Sequence, residues 1–529
     1  MQKPGAQRGN AERTQLKIIS WRLVITSFLT ACAITAVTTW ILVIEADSRS
    51  ADEAKIAAVK ISAIRTGLSV GAGAGGAMAL LLAARRQWLG ERSQLHQEEV
   101  SENEIMDATE RRITDLYGKA VDQLGSEKTA VRIGGILALE RLAQANPGHR
   151  QTITEVICAY LRMPFPVPSS VDLSSATPYT LQNEVLDDEQ KQEMQVRLTV
   201  QTVLRRHLLD SSKSDGEFWA GLRLDLTGAS LITFNLSNCE FDEGMFNHAS
   251  FVGTTRFAEL KSGRSVSFRG ANFHGFADFE KCHFSGQVRF DEASFARPCE
   301  FSEANFDLGA RFDRVKFHKE AVFKVANFHD VTVFDGAEFL EAAVFTRVDF
   351  VSDVRFFRVV FANQARFLQA RFRGPVTFGA AKFDKDAIFG AAHFEGRVRL
   401  RDSQFAGGVS FKECRFNSGA SIYDTVFRGD VSYRDAEMGK GVTFKGVAFE
   451  QKVTFTAPQG GRTINFHRVL FNGQTVFLRF DGWAVRFWDC SVESPGNMRS
   501  VPYGWVISSG MLPSGRHEIV RWNAPLVLP

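Results

Sequence analysis

From Leu226 onward, large apolar residues recur at fixed intervals. Leu226, Leu231, Leu236, Phe241, Phe246 and Phe251 stand five apart. From Phe268 the interval alternates between five and six, through Phe273, Phe279, Phe284, Phe290, Phe295, Phe301, Phe306 and Phe312, and on to Phe455. Only Leu400, Ile422, Tyr433 and Met438 replace Phe, and all are large and apolar. The residue two before each anchor is Ala, Val, Cys, Ser or Thr, as in Ala271, Ala277, Cys282, Val288, Ala293 and Cys299. Residues two apart on an extended chain share a side. Anchor and small residue therefore point inward, and the Asp, Lys, Arg, Glu, Ser and Asn between them point outward. Two double steps of 11 make a coil of 22 residues.

This pattern predicts a mainly β chain with a right-handed quadrilateral β-helix over residues 222–490. Stacked coils place Phe on Phe in offset contact. Between Leu226 and Phe477 there is room for roughly 11 or 12 coils, a rod of about 50–55 Å at the usual strand spacing. The extra residue of the six-residue step often coincides with Gly, as at Gly286, Gly374, Gly396, Gly429 and Gly473. Gly there suggests a turn with positive φ. The ladder skips at Ser262 and at Gly460, where loops or bulges are expected. Trp483, Phe487 and Trp488 are placed to close the C-terminal end. Residues 491–529 lack the repeat and read as a tail.

The N-terminal end has a different periodicity. Residues 23–44 carry no charge, and residues 66–84 form a second such run. About 20 apolar residues span a bilayer core, so residues 23–84 read as a transmembrane helical hairpin. A signal peptide fits the first run poorly, because its apolar core is too long and a second span follows. Gly67, Gly71 and Gly75 fall on one helix face and would let the partner helix approach. Gly71, Gly73 and Gly76 also match G-x-G-x-x-G, but without the strand–turn–helix setting that a dinucleotide site needs. Residues 1–22 and the flank after the second span hold Lys3, Arg8, Arg13, Lys17, Arg22, Arg85, Arg86 and Arg92. The connecting loop holds Arg49, Lys55, Lys60 and Arg65. That balance places both termini and the repeat domain in the cytoplasm.

Residues 100–212 read as an α-helical domain. Helices are expected over 104–124, 130–144, 151–162 and 187–209, with Gly125, Asn146-Pro147-Gly148 and Pro164 as stops. Gly134-Gly135 suggests a close helix crossing. Residues 164–186, with Pro164, Pro166, Pro168 and Pro178, read as a linker. Arg197, Arg205, Arg206 and His207 give the last helix a basic character, read here as a solvated face.

Composition adds one point and removes several. There are 46 Phe against 6 Tyr, so one aromatic fills one repeated slot. The net charge is only +3, which suits neither a polycation that wraps DNA nor an acidic DNA mimic. The seven cysteines show no C-x-x-C spacing. Cys239, Cys282, Cys299 and Cys414 occupy the small inward slot, where a thiol stands in for Ala.

No catalytic, cofactor-binding or metal-ligating residues emerge. The chain has no H-E-x-x-H, no G-K-[ST] loop and no G-x-S-x-G; Gly263-Arg264-Ser265-Val266-Ser267 is only similar. His274, His283, His318, His329 and His393 flank ladder residues and face outward. Asp278, Glu280, Asp291, Glu292 and Asp313 alternate with Arg289, Arg297, Arg311 and Arg314, which suggests cross-strand ion pairs.

The opening DLTGAS-LITFN-LSNCE-F resembles the start of a pentapeptide-repeat protein. The runs IRTGLSVGAGAGGAMALLLAARRQWLGER and ERRITDLYGKAVDQLG…AVRIGGILALERLA…TITEVICAYLRMP are similar to those of actinobacterial membrane-linked members of that family. The resemblance fixes the fold and not the function; the flat strand faces of the rod and the two spans suggest a membrane-anchored cytoplasmic scaffold whose β-helix surface binds a protein, with no catalysis and no small-molecule substrate. Homo-oligomers through the Gly face of the spans or the β-helix end would fit the same plan. A second role known in that family, a DNA-mimic modulator or protector of a topoisomerase, needs a strongly negative surface, and residues 221–490 are nearly charge-balanced. An enzyme site in the helical middle is a third possibility that no motif supports.

Overall fold

The computed structural model describes residues 21–48, 53–165, 173–184, 186–456, 463–480 and 483–522. The chain divides into two compact units, Met1–Thr114 and Asp115–Pro529.

In the first unit, α1 (Trp21–Ser48) packs against the N-terminal part of α2 (Glu53–Leu124). Two stretches, Ile25–Glu45 and Lys60–Trp88, are long and apolar enough to cross a membrane. Gly67 is buried, and a Cβ there would strike the Thr39 side chain. At Gly71 a Cβ would touch Thr35 at 3.8 Å. Gly73, Gly75 and Gly76 meet nothing within 4 Å, so only the first two glycines of the expected face set the crossing. The G-x-G-x-x-G run is continuous helix and forms no phosphate-cradling loop. Thr35, Thr38 and Thr39 donate their hydroxyls to carbonyls four residues back, leaving no hydroxyl to be solvated. The sequence suggested separate helices over 66–84 and 104–124. Instead α2 runs unbroken for 72 residues. The intervening stretch is rich in Arg, Gln, Leu and Glu, and its lone Gly90 costs too little to end a helix.

In the second unit, α3 (Thr129–Ala145), α4 (Arg150–Arg162), α5 (Pro178–Glu184) and α6 (Asp188–Leu208) precede a β-solenoid of about 12 turns. Gly135 sits in the crossing with the end of α2, where a Cβ would come within 2.8 Å of the Ala120 carbonyl oxygen. Gly134 has open space. The supposed linker is partly built into the fold. Phe165, Ala176, Leu181 and Leu186 pack with Met194 of α6 on Ile232 and Val252, two apolar residues that point out of the first coils. Pro166 and Pro168 lie outside the described residues.

The solenoid has four sheets, parallel except for the antiparallel hairpin that ends one of them. In chain order, face I runs from Arg223–Asp225 to Ala484–Trp488 and has 13 strands. Face II starts at Ser230–Ile232 (15 strands), face III at Thr255–Arg256 (12) and face IV at Glu240–Phe241 (10). The register is one coil per step, so Phe273 lies beside Phe295 and Phe306 beside Phe328. Their rings stack at 4.6 and 4.7 Å. Rings of neighbouring ladders meet edge to face, as Phe290 and Phe301 do at 5.5 Å and 86°. Each such aromatic pair adds about 0.5–1.5 kcal/mol beyond the area it buries.

Two turn expectations change. Gly286, Gly374, Gly396, Gly429 and Gly473 have no positive φ. A Cβ on any of them would run into the backbone of the preceding coil, so close stacking of turns requires glycine there. Positive φ occurs instead every 11 residues, two positions after the anchors of faces I and III, at Lys281, Glu292, Glu303 and Arg314 for example. Each is the third residue of a β-turn closed by the next amide, as Cys282 N donates to Phe279 O at 3.3 Å.

Ser262 is neither a loop nor a bulge. It pairs in register between Phe241 and Phe284 and is buried. Backbone hydrogen bonds hold the register even where the side chain shrinks. Gly460 lies outside the described residues.

The C-terminal closure also differs. Phe487 continues the ladder on Phe466 at 4.9 Å, and Trp505 caps it edge to face at 5.1 Å. Trp483 covers Phe480 at 5.7 Å. Trp488 points outward and stacks on His467 at 4.2 Å. The supposed tail is structured through Trp522. Met498–Ser500 extends face III, and Trp505–Met511 with His517–Arg521 forms an antiparallel hairpin on face II.

Candidate interaction surface

At the N-terminal end of the solenoid, the first strands have no preceding coil, and side chains of the helices take its place. Gln201 accepts from Ile232 N at 3.1 Å and donates to Ile232 O at 2.8 Å. Gln151 does the same for Arg223, at 2.9 and 3.1 Å. Arg162 donates to Asp225 O at 2.6 Å and pairs with its carboxylate at 3.0 Å. Each glutamine thus supplies one donor and one acceptor, as a neighbouring strand would.

The basic helix is largely committed to this cap. Arg197 is 1% exposed, pairs with Glu193 at 2.8 Å and donates to Leu161 O at 3.0 Å. His207 is also buried and stacks on Trp219 at 3.9 Å. Its Nε2 lies 2.8 Å from Glu140 and its Nδ1 2.6 Å from Glu217 O, so the ring faces an acceptor on both sides. That hydrogen bond, together with the Arg206 charge, holds the Glu140 carboxyl below the usual range. These residues are structural and not the solvated face that the sequence suggested, although Arg206 stays half exposed.

The inward cysteines behave as core. Cys282, Cys299 and Cys414 are buried, and burial pushes the Cys414 thiol up to about 12. Cys282 Sγ donates to Phe257 O at 2.9 Å and Cys414 Sγ to Phe389 O at 2.8 Å. Ser403 makes the same bond to Phe378 O at 3.0 Å. A thiol or hydroxyl in this slot thus finds a carbonyl acceptor inside the core, where Ala stands in many coils. Cys490, which the repeat pattern did not flag, is buried too and bonds to Phe466 O at 3.3 Å.

The outward histidines are scattered. His274 is half-buried, and its Nε2 lies 3.1 Å from Ser250 Oγ; burial lowers its pKa. His283 bonds to Asp307 at 3.0 Å. Among the described residues no three His, Cys, Asp or Glu are grouped to hold a metal ion. Gly263–Ser267 crosses from face IV to a face I strand at Val266–Ser267 and makes no nucleophile turn.

Outward charges pair both within a coil and between neighbouring coils on the first half of face I. Arg289 meets Asp291 at 2.8 Å, and Arg311 meets Asp291 at 3.3 Å and Asp313 at 2.9 Å. Arg314 pairs with Glu292. On face III, Asp278 stands directly opposite Glu300 and not opposite a cation. Burial raises both carboxyls above their usual range.

A solenoid of two-residue strands with stacked Phe and a small residue two before it is the geometry of one repeat. Residues 268–316, 279–326, 356–404 and 402–448 each match the family model described as pentapeptide repeats (9 copies). The chain carries pentapeptide repeats. No curated protein and no solved structure matches the chain. The pentapeptide-repeat solenoid extends past the matched residues at both ends, because the strand register continues unbroken from Arg223–Asp225 to Ala484–Trp488. Its inner side chains are consumed by packing, so its outward faces are the surface available for function.

Proposed function

We propose that this chain is a membrane-anchored scaffold whose pentapeptide-repeat solenoid offers its outer faces to a protein partner in the cytoplasm, without catalysis. The observation that carries this reading is the division of side chains. The inner ones form a closed core, and the outer ones stand on a rigid lattice of parallel strands. Such a lattice presents side chains about 4.8 Å apart along the axis, which favours recognition of an extended or repetitive surface. The two apolar stretches, Ile25–Glu45 and Lys60–Trp88, supply the anchor. The excess of Lys and Arg on both outer flanks supports cytoplasmic termini.

Protease added to spheroplasts tests the topology. The solenoid should survive intact until the membrane is permeabilised; rapid external cleavage would refute a cytoplasmic placement. Crosslinking in intact membranes, followed by identification of the adduct, tests the scaffold role and should yield a discrete protein partner.

A further inference from the structure

Face I does not carry the same charge along its length. Its outward positions flank each anchor: three and one residues before it, and one and two after it. From Ser265 to Gly336 these positions hold four cations, Arg269, Arg289, Arg311 and Arg314, against the four acids Asp291, Glu292, Asp313 and Asp335. From Asp353 to Asp489 they hold eight cations, Arg355, Arg358, Arg397, Arg399, Arg401, Lys445, Arg468 and Arg486, against the four acids Asp353, Asp402, Asp424 and Asp489. Arg355 pairs with Asp335 and Arg401 with Asp402. The other six cations pair with no carboxylate among the described residues. All eight are exposed.

Aromatic rings interleave with these cations in the column just after the anchors. Phe357 is 42% exposed, Tyr423 36% and Trp488 41%. Phe357 lies over Gly379 of the next coil, where a Cβ would come within 2.8 Å of its ring. Arg358 stacks on the same ring at 5.0 Å. At the end of the solenoid the stripe opens into a cleft of about 810 Å³, lined by Arg486, Trp488, Tyr503, Trp505 and Glu518 among others. The face I strand beside it, Ala484–Trp488, is the last of its sheet and has no strand on its outer side among the described residues.

From these features we infer that the second half of face I is the docking site for an extended acidic segment of a partner protein, with a large apolar side chain of that segment seated in the end cleft. The inference rests on the scaffold role proposed above and names the chemistry of the partner. Unpaired arginines along a fixed track favour carboxylates, which Arg binds in a bidentate fork. Exposed aromatics and the cleft favour an apolar residue among the acids. From Phe357 to Trp488 the track spans about 29 Å, the reach of roughly nine extended residues. A nucleic acid strand fits less well. Its phosphates are continuous, and the acids at Asp402, Asp424 and Asp489 would face them, whereas a peptide can place neutral residues there.

The test uses the full chain in nanodiscs and a fluorescein-labelled peptide of about ten residues, alternating Glu and Ser and ending in Trp. Fluorescence anisotropy should show saturable binding that weakens as salt screens the charges. Arg397→Glu with Arg399→Glu should lower affinity by at least about tenfold and should create affinity for the corresponding Lys–Ser peptide. Trp488→Ala should weaken binding of the acidic peptide several-fold, and Arg289→Ala with Arg311→Ala should leave it unchanged. The inference is overturned if the double Glu variant binds the acidic peptide normally. It is also overturned if single-stranded DNA of matching length displaces the peptide and binds more tightly. Membrane crosslinking separates the two levels. A protein adduct that the double Glu variant retains sinks this docking site but leaves the scaffold role standing; no adduct from the unmodified chain sinks both.

Discussion

Individual residues in this protein divide into those whose neighbours are fixed by the repeat and those whose neighbours are not. The cysteines belong to the first group. Their position two before a Phe was enough to place them inside, although the bond from Cys282 Sγ to Phe257 O, 25 residues away, follows only from stacking. Gln151 and Gln201 belong to the second group. Each caps a strand 72 or 31 residues distant, and no local pattern marks them. Replacing Gln201 with Leu leaves both Ile232 backbone groups buried and unpaired, so chemical denaturation should show a loss of about 2–4 kcal/mol. Charge pairs give two predictions with opposite sign. The Glu140 pKa is depressed in the folded state, so its stabilising contribution is present above the ordinary glutamate pKa and is lost as pH falls through the folded value. Glu140→Gln should therefore flatten the acid limb of the thermal stability profile. The Glu300 pKa is raised, so its contribution is present below the ordinary glutamate pKa and is lost as pH rises through the folded value. Glu300→Gln should raise the melting temperature at neutral pH, with the gain fading in acid. An unchanged profile in either variant would count against the assigned cause.

At the level of elements, the anchors and small residues fixed the strands, but the reason for the glycines could not be read from spacing alone. Gly374 has to lie under the Ser352 backbone, whereas Gly336 sits at a positive-φ corner that Glu, Arg and Asp occupy in other coils. Gly374→Ala should destabilise the solenoid clearly, while Gly336→Asn should be nearly neutral, because Asn tolerates that conformation. The reverse order in urea unfolding would restore the turn explanation. Phe312→Ala removes a ring stacked on both Phe290 and Phe334 and should cost about 3–5 kcal/mol. Each coil touches only its neighbours, so faster hydrogen exchange should be confined to the adjacent coils. The ends were the least legible elements. Trp505 comes from a hairpin with no repeat, and its contact with Phe487 depends on the chain folding back. Likewise, the unbroken α2 depends on nothing ending it between the apolar stretch and the helical domain.

As a whole, the molecule combines two apolar helices with a capped solenoid; the long uncharged runs and the strict repeat exposed the helices and the solenoid in the sequence, but not the caps. What stayed hidden was the sidedness of the solenoid. Its total charge is close to balanced, and the excess of cations on half of one face shows only after residues are sorted into columns by the strand register. The central claim, a solenoid that binds a protein at the membrane, is tested most directly by photo-crosslinking. A benzophenone side chain would replace Phe357, and separately Ser267 at the charge-balanced end of the same face, in the full-length chain in intact membranes. The account predicts a discrete protein adduct from position 357 and a weaker one or none from position 267. No protein adduct from either position would contradict it, whereas equal adducts from both would remove only the docking site on the second half of face I.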